Sequence, residues 1–207
     1  NETITRIDRD LSAPNDAEVI DATGKYVFPG FIDPHVHIYL PFMGTFAKDT
    51  HETASRAALV GGTTTVIEML GPDRTQEPMA GFELWLGKAH GHCACDFTFH
   101  MTVARCDERA AGQLREIVKR GVSSFKVYLA YNDAFGLSDP ELYRALALAR
   151  ELGVITTAHC ENADLIVAGL QALLYSQQIR ERMKSGVPIT LEELKTLGML
   201  LHEPVPV

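Results

Sequence analysis

The sequence predicts an α/β protein that forms a partial TIM (β/α) barrel, with five of the eight βα units of a complete barrel. Strand-like and helix-like segments alternate at a spacing of about 30 residues, the size of one βα unit. Repeated units of this kind form a parallel sheet, either doubly wound or closed as a barrel. Reactive side chains near the carboxyl ends of several different strands favour the barrel.

The predicted strands are short runs rich in β-branched and aromatic residues, bounded by glycine, proline or charged residues. The five barrel strands are residues 28–38, 63–69, 96–103, 123–129 and 154–158. Two further short strands are predicted ahead of the barrel, at residues 3–7 and 18–22.

The predicted helices follow the barrel strands, and several end at a glycine. Their ranges are residues 51–60, 79–89, 108–120, 140–153, 162–184 and 190–201. Asp49 with Glu52 is predicted to form the capping box of the first helix, and Thr190 with Glu193 that of the last. Ser138 and Asp139 are the cap candidates before the fourth helix.

Composition restricts the kind of protein. The net charge of −8 argues against nucleic acid as the main partner. No run of 18 apolar residues occurs, and the first residues lack a signal-peptide pattern, so we expect no membrane association and a cytoplasmic location. The four cysteines fit neither a disulfide framework nor a CxxC zinc site, and we interpret them as reduced thiols without an assigned function.

His35 and His37 form an HxH pair at the end of the first barrel strand. Side chains at positions i and i+2 of a strand point the same way, so both imidazoles can reach one metal ion. The alternative is that one histidine packs in the core and the other lies in a loop.

Lys126 lies inside an apolar strand, where a charged amine is costly and its pKa should fall. One interpretation is that the neutral amine captures carbon dioxide, giving a carbamate that bridges two metals. The alternatives are an amine that reaches water at the strand end, a general base or a Schiff-base former. His159 closes the fifth strand and is either a third ligand of the same site or a cap of the next helix.

Other polar residues carry weaker signals. His90 and His92 follow a helix on the opposite face of the barrel, so we expect a solvated loop there. His100 lies inside the third strand and is expected to be a hydrogen-bonded core or supporting residue rather than a ligand. Glu68 either enters the site or is a solvated strand end.

Four segments in this order, residues 21–37, 61–65, 123–131 and 158–162, resemble the cyclic amidohydrolases, specifically dihydropyrimidinases and D-hydantoinases. The first resembles that family's passage from a small β-sandwich into the first barrel strand. The resemblance therefore implies a β-sandwich remnant over residues 1–27 and an incomplete metal-dependent hydrolase barrel over 28–207.

The resemblance also implies the site. His35 and His37 would bind one divalent metal, carboxylated Lys126 would bridge to a second, and His159 would bind that second metal. Tyr131 would donate a hydrogen bond to the oxyanion of the reaction. Zinc is the expected metal, and manganese, cobalt or nickel would fit similar ligands.

The activity implied is hydrolysis of the cyclic amide of 5,6-dihydropyrimidines, and of hydantoins, by a hydroxide that bridges the two metals; dihydrouracil would give N-carbamoyl-β-alanine. The family's strand-6 histidine and strand-8 aspartate have no counterpart, and we do not promote His202 to a ligand. We expect an N-terminal portion that is inactive alone, a small cyclic amide as substrate and a homotetramer. The alternatives are a hydantoinase or allantoinase-like enzyme and a non-catalytic fragment or assembly relative.

Overall fold

Strands and helices alternate through most of the computed structural model, which describes residues 3–42, 44–190 and 192–193. The strands in this part of the chain are β1 (Phe31–Val36), β2 (Pro41–Phe42), β3 (Thr45–Phe46), β4 (Thr63–Leu70), β5 (Asp96–Thr102), β6 (Ser124–Tyr128) and β7 (Ile155–His159). The helices are α1 (His51–Val60), α2 (Pro78–Ala89), α3 (Glu108–Lys119), α4 (Asp139–Leu152) and α5 (Ala163–Lys184). Each helix follows a strand, which confirms the five predicted βα units.

The five longer strands form one sheet in the order β1-β4-β5-β6-β7, and all neighbouring pairs are parallel. Strands β2 and β3 form a separate antiparallel hairpin that the sequence did not predict. The sheet is half of a (β/α) barrel, so the predicted fold class is confirmed.

Local signals placed most helix ends within one or two residues, but one cap differs from its prediction. The capping box of α1 pairs Thr50 with Thr53, not Asp49 with Glu52. The Thr50 N–H donates to Thr53 Oγ1 over 3.0 Å, and the Thr53 N–H donates to Thr50 Oγ1 over 3.2 Å. Asp49 instead accepts a hydrogen bond from the Thr53 hydroxyl. The helix begins one residue later than the predicted cap requires.

The chain divides into two units, Asn1–Gly30 and Phe31–Val207. In the first unit, the described residues 3–30 contain no strand, so the short strands predicted at 3–7 and 18–22 are wrong. Their apolar side chains, such as Ile4 and Ile20, are exposed, so neither burial nor a neighbouring strand stabilises an extended conformation. The β-sandwich assignment of residues 1–27 stays a prediction.

The core of the second unit lies between the sheet and helices α2, α3 and α4. It is built around Trp85, Phe99, Leu114 and Phe125, all nearly inaccessible to solvent. This packing holds the strands rigidly and leaves their carboxyl ends to carry the polar side chains described below.

The end of the chain is described only in part. Thr190 and Glu193 make the predicted capping contacts, with the Glu193 N–H donating to Thr190 Oγ1 over 3.2 Å. The rest of the predicted helix at 190–201, and His202, lie outside the described residues. Among the helices that the structure describes, none has the length and apolar character needed to cross a bilayer.

Candidate metal centre

The HxH pair lies at the carboxyl end of β1. The His35 and His37 rings are 5.2 Å apart between centroids and meet edge to face. His35 is exposed, whereas His37 is partly buried. His37 Nδ1 is inaccessible to solvent and has no hydrogen-bond partner among the described residues. A buried imidazole nitrogen without a partner is a costly arrangement that a metal ion would relieve.

His100 on β5 holds the backbone just before the pair. Its Nε2 lies 2.8 Å from the Pro34 carbonyl oxygen, and its Nδ1 lies 2.6 Å from Ser124 Oγ. A carbonyl oxygen only accepts, so Nε2 carries the proton, and in the neutral ring Nδ1 accepts from the Ser124 hydroxyl. His100 is therefore the hydrogen-bonded core residue that the sequence predicted.

Replacing His100 with phenylalanine is expected to lower the free energy of unfolding by about 2–4 kcal/mol, because the Pro34 and Ser124 oxygens lose their buried partner. Burial, with the nearby charges of His35 and Lys126, lowers the pKa of His100. The unfolded chain then binds a proton more readily than the folded one, so stability falls as the pH drops below about 6.5.

Urea denaturation at pH 7 and pH 5 tests both effects. The natural protein should lose more stability between these two pH values than the His100→Phe variant. Ser124→Ala is the matched control, since it removes one hydrogen bond of His100 and keeps the bond to Pro34. Equal losses in the natural protein and in His100→Phe would contradict the prediction.

Glu68 on β4 holds the backbone just after the pair. Its Oε1 accepts hydrogen bonds from the N–H groups of Ile38 and Tyr39, over 3.0 and 2.7 Å. Its Oε2 lies 2.6 Å from Nε2 of His51, the first residue of α1, and both side chains are buried. The interpretation of Glu68 as a solvated strand end is therefore wrong, because the side chain is 1% exposed. Its carboxylate anchors the segment after the pair and acts electrostatically on His37.

Lys126 lies in β6, next to Thr102 of β5 and Thr157 of β7 in the strand registers. It is only 3% exposed, which argues against an amine extended into bulk water. Its Nζ lies 5.1 Å from the centre of the Tyr128 ring. Burial lowers the pKa of the Lys126 amine, so the neutral form becomes accessible at a lower pH than for an exposed lysine.

His159 and Tyr131 share one carboxylate. Glu161 Oε2 lies 2.5 Å from His159 Nε2 and accepts a hydrogen bond from the Tyr131 hydroxyl over 2.8 Å. These two hydrogen bonds, the one from His159 first, lower the pKa of Glu161, and the bond to Glu161 raises the pKa of Tyr131. No role was predicted for Glu161 from the sequence. The available signal for its contact with His159 was its position two residues after that histidine.

The other three predicted ligands act electrostatically on His37. Burial lowers the pKa of His37 first, and the charges of His35, Lys126 and His159 lower it further, whereas the charge of Glu68 raises it. In the described part of the chain, however, no three His, Cys, Asp or Glu side chains converge closely enough to hold a metal ion. The histidine nitrogens among the predicted ligands are donors that suit zinc.

The space beside this cluster is a cavity of about 740 Å³. Its lining includes Arg74, Asn132, Glu141, Cys160 and Glu161, so it shares one carboxylate with the Tyr131–His159 contact. The second HxH pair, His90 and His92, is exposed between α2 and β5, which confirms the prediction of a solvated loop. The reactive groups are thus at one end of the sheet, the end where (β/α) barrels carry their active sites.

The half-barrel carries histidines at the ends of two strands and a buried lysine inside a third. The sequence matches a known protein family over most of its length. The family model described as "Amidohydrolase family" matches residues 26–205. The chain therefore belongs to the amidohydrolase family.

Comparison with individual proteins shows which members of the family this chain resembles. D-hydantoinase from Geobacillus stearothermophilus is 43% identical over 151 residues, covering 72% of this chain and 32% of that protein. Dihydropyrimidinase from Dictyostelium discoideum is 35% identical over 175 residues, covering 84% of this chain and 35% of the relative. The solved structure of a D-hydantoinase (dihydropyrimidinase) from Thermus sp. superposes with a TM-score of 0.74 at 58% identity, covering 88% of this chain and 38% of that one. The chain spans about a third of the length of the curated relatives it matches.

Proposed function

We propose that this chain contributes the first half of the active site of a two-metal hydrolase for cyclic amides. The proposed substrates are 5,6-dihydropyrimidines, with hydantoins as a second class. The observation that carries the proposal is the placement of the HxH pair and His159 at the carboxyl ends of β1 and β7, with Lys126 buried inside β6 of the same sheet. The names of the relatives, D-hydantoinase and dihydropyrimidinase, support the same substrate classes.

The four side chains have distinct proposed roles. His35 and His37 would hold one ion, and His159 would hold the other. The neutral Lys126 amine would attack carbon dioxide, forming a nitrogen–carbon bond and releasing a proton to solvent, and the resulting carbamate would supply an anionic oxygen ligand. When bound, two zinc ions supply Lewis acidity that polarises the carbonyl and makes water a nucleophile near neutral pH.

Tyr131 is the proposed hydrogen-bond donor to the carbonyl oxygen that becomes negative during attack. A tyrosine hydroxyl is protonated near neutral pH, as a donor requires. The hydroxyl has one proton, and in the structure it is donated to Glu161. During the reaction Tyr131 must therefore exchange Glu161 for the oxyanion as its acceptor.

The test of the proposed function begins with metal content. Elemental mass spectrometry of the purified protein should find about two divalent metal ions per active site, as a two-metal mechanism requires. Ring opening of dihydrouracil and of hydantoin, followed by liquid chromatography, then ranks the two substrate classes. Absence of both metal and turnover in a protein that also supplies the later barrel strands would overturn the proposal in favour of the non-catalytic alternative. The proposed homotetramer is tested by sedimentation of the same sample.

Replacing Tyr131 with phenylalanine is expected to lower kcat by about 10²–10³, the usual effect of losing one oxyanion donor. Metal content and KM should stay close to those of the natural protein, because the ring keeps its packing and the hydroxyl is not a ligand. Loss of metal in Tyr131→Phe would show that the residue has a different role.

A further inference from the structure

Arg74, in the loop after β4, joins three consecutive βα loops. Its Nη1 donates to the carbonyl oxygens of Ala104, in the loop after β5, and of Gly136, in the loop after β6, over 2.9 and 2.5 Å. Its Nη2 donates to Glu141 Oε1 over 2.8 Å. The backbone N–H of Arg74 donates to the Ala134 carbonyl over 2.9 Å. Two of these four contacts are to the loop after β6, and a third is to α4, the helix that follows this loop.

Tyr131, the third residue of that loop, has an unusual backbone conformation. Its φ of +62° is in the left-handed region, and no other non-glycine residue in the described part of the chain has a positive φ. The Tyr131 carbonyl accepts hydrogen bonds from the N–H groups of Ala134, Phe135 and Gly136. A conformation of this kind persists when surrounding contacts impose it, and such residues concentrate at functional sites.

The loop is held at its far end as well. Glu141 Oε2 accepts hydrogen bonds from the backbone N–H and the hydroxyl of Ser138, the residue that caps α4. The same carboxylate receives Arg74 through Oε1, so Arg74 connects the tight turn to the start of the helix. A Cβ on Gly136 would lie 2.6 Å from the Ala130 carbonyl oxygen, so the turn has no room to shift inward.

We propose that Arg74 is a positioning residue for Tyr131. By fixing the turn over residues 131–136, it sets the direction in which the phenol points into the site. The planar guanidinium donates to three acceptors in fixed directions, which a lysine ammonium on its flexible stem does not reproduce. The catalytic consequence rests on the proposed function of Tyr131, whereas the dependence of the turn on Arg74 does not.

The structural test uses Arg74→Lys, which keeps the charge. The protein contains six tyrosines. After incorporation of 3-fluorotyrosine, the ¹⁹F resonance that disappears in Tyr131→Phe is that of Tyr131. In Arg74→Lys this resonance should shift or broaden, while those of Tyr26, Tyr39 and Tyr143 stay in place. The amides of the turn should exchange with deuterium about tenfold faster.

Arg115→Lys is the matched control, since Arg115 also donates two hydrogen bonds to a glutamate, Glu151, but makes them away from the turn. Identical spectra and exchange rates for Arg74→Lys and Arg115→Lys would overturn the positioning role.

A kinetic cycle connects the turn to catalysis. In protein with measured turnover, Arg74→Lys should lower kcat about tenfold with little change in KM, and it should add nothing to Tyr131→Phe. If Tyr131→Phe leaves kcat unchanged, the proposed role of Tyr131 fails, and the fluorine spectra still decide whether Arg74 fixes the turn. Fully additive losses would contradict action through Tyr131.

Discussion

Replacing Lys126 with methionine is expected to abolish the binding of both metal ions and to lower kcat/KM for dihydrouracil by at least about a thousandfold, the loss of some 4 kcal/mol of transition-state stabilisation. Methionine has no amine to carboxylate, so the oxygen ligand proposed to join the ions cannot form. The expected loss is large because one residue contributes to both metal positions.

Methionine also makes the result easy to interpret. Its unbranched side chain occupies much of the space of the lysine stem, so the interior of β6 stays filled. The pKa of Lys126 is lowered by burial, which means that the unfolded chain holds more protons than the folded one below the ordinary lysine pKa. This difference lowers the free energy of unfolding of the natural protein as the pH falls through that range, and Lys126→Met removes this pH dependence. The variant should therefore be at least as stable at pH 7 as the metal-free natural protein.

Elemental mass spectrometry and unfolding, measured on the same preparation, decide the question. Two metal ions per chain in Lys126→Met would contradict the proposal that carboxylated Lys126 is a metal ligand. In Lys126→Ala, which leaves the space of the lysine stem open, addition of a short carboxylic acid should restore part of the activity, because its carboxylate can supply the missing anionic ligand.

Replacing Glu68 with alanine is expected to lower the free energy of unfolding by about 3–5 kcal/mol, because three polar groups lose their partner at about 1–3 kcal/mol each when buried. The change leaves His51 buried without its partner and removes the acceptor from the N–H groups of Ile38 and Tyr39. Urea denaturation followed by the fluorescence of Trp85, the only tryptophan, measures the loss.

Glu68→Gln separates the hydrogen bonds from the charge. The glutamine oxygen can accept from Ile38 and Tyr39, and its NH₂ group can donate to His51 Nε2. We expect this variant to lose only about 1 kcal/mol, the net worth of an ordinary hydrogen bond. Equal losses in the alanine and glutamine variants would show that the three hydrogen bonds do not hold this segment.

The parts of the fold that follow from local patterns were predictable. Helix α1 has the predicted bounds, because a glycine pair ends it and its first residues carry cap chemistry. The strand-end positions of His35, His37 and His159 were predictable because parallel strands bring their carboxyl ends to one edge. The hairpin of β2 and β3 was missed because two-residue strands leave no period to detect.

The supporting contacts were not predictable for a different reason. His51 and Glu68 meet only because α1 packs against β4, and Glu161 reaches Tyr131 only because β6 and β7 pair in one register. The segments at 3–7 and 18–22 have strand-like composition but no partner strand among the described residues, and pairing rather than composition decides whether a strand forms.

The order of the strands in the sheet has a consequence for biosynthesis. Each strand of the sheet after β1 pairs with the strand of the preceding βα unit. When a strand emerges from the ribosome, this partner has therefore already emerged. At about 5–20 residues per second, a new unit of about 30 residues appears every 2–6 s or so. We therefore expect the sheet to grow at one edge during translation, with β1 as the first strand laid down and β7 as the last of the five.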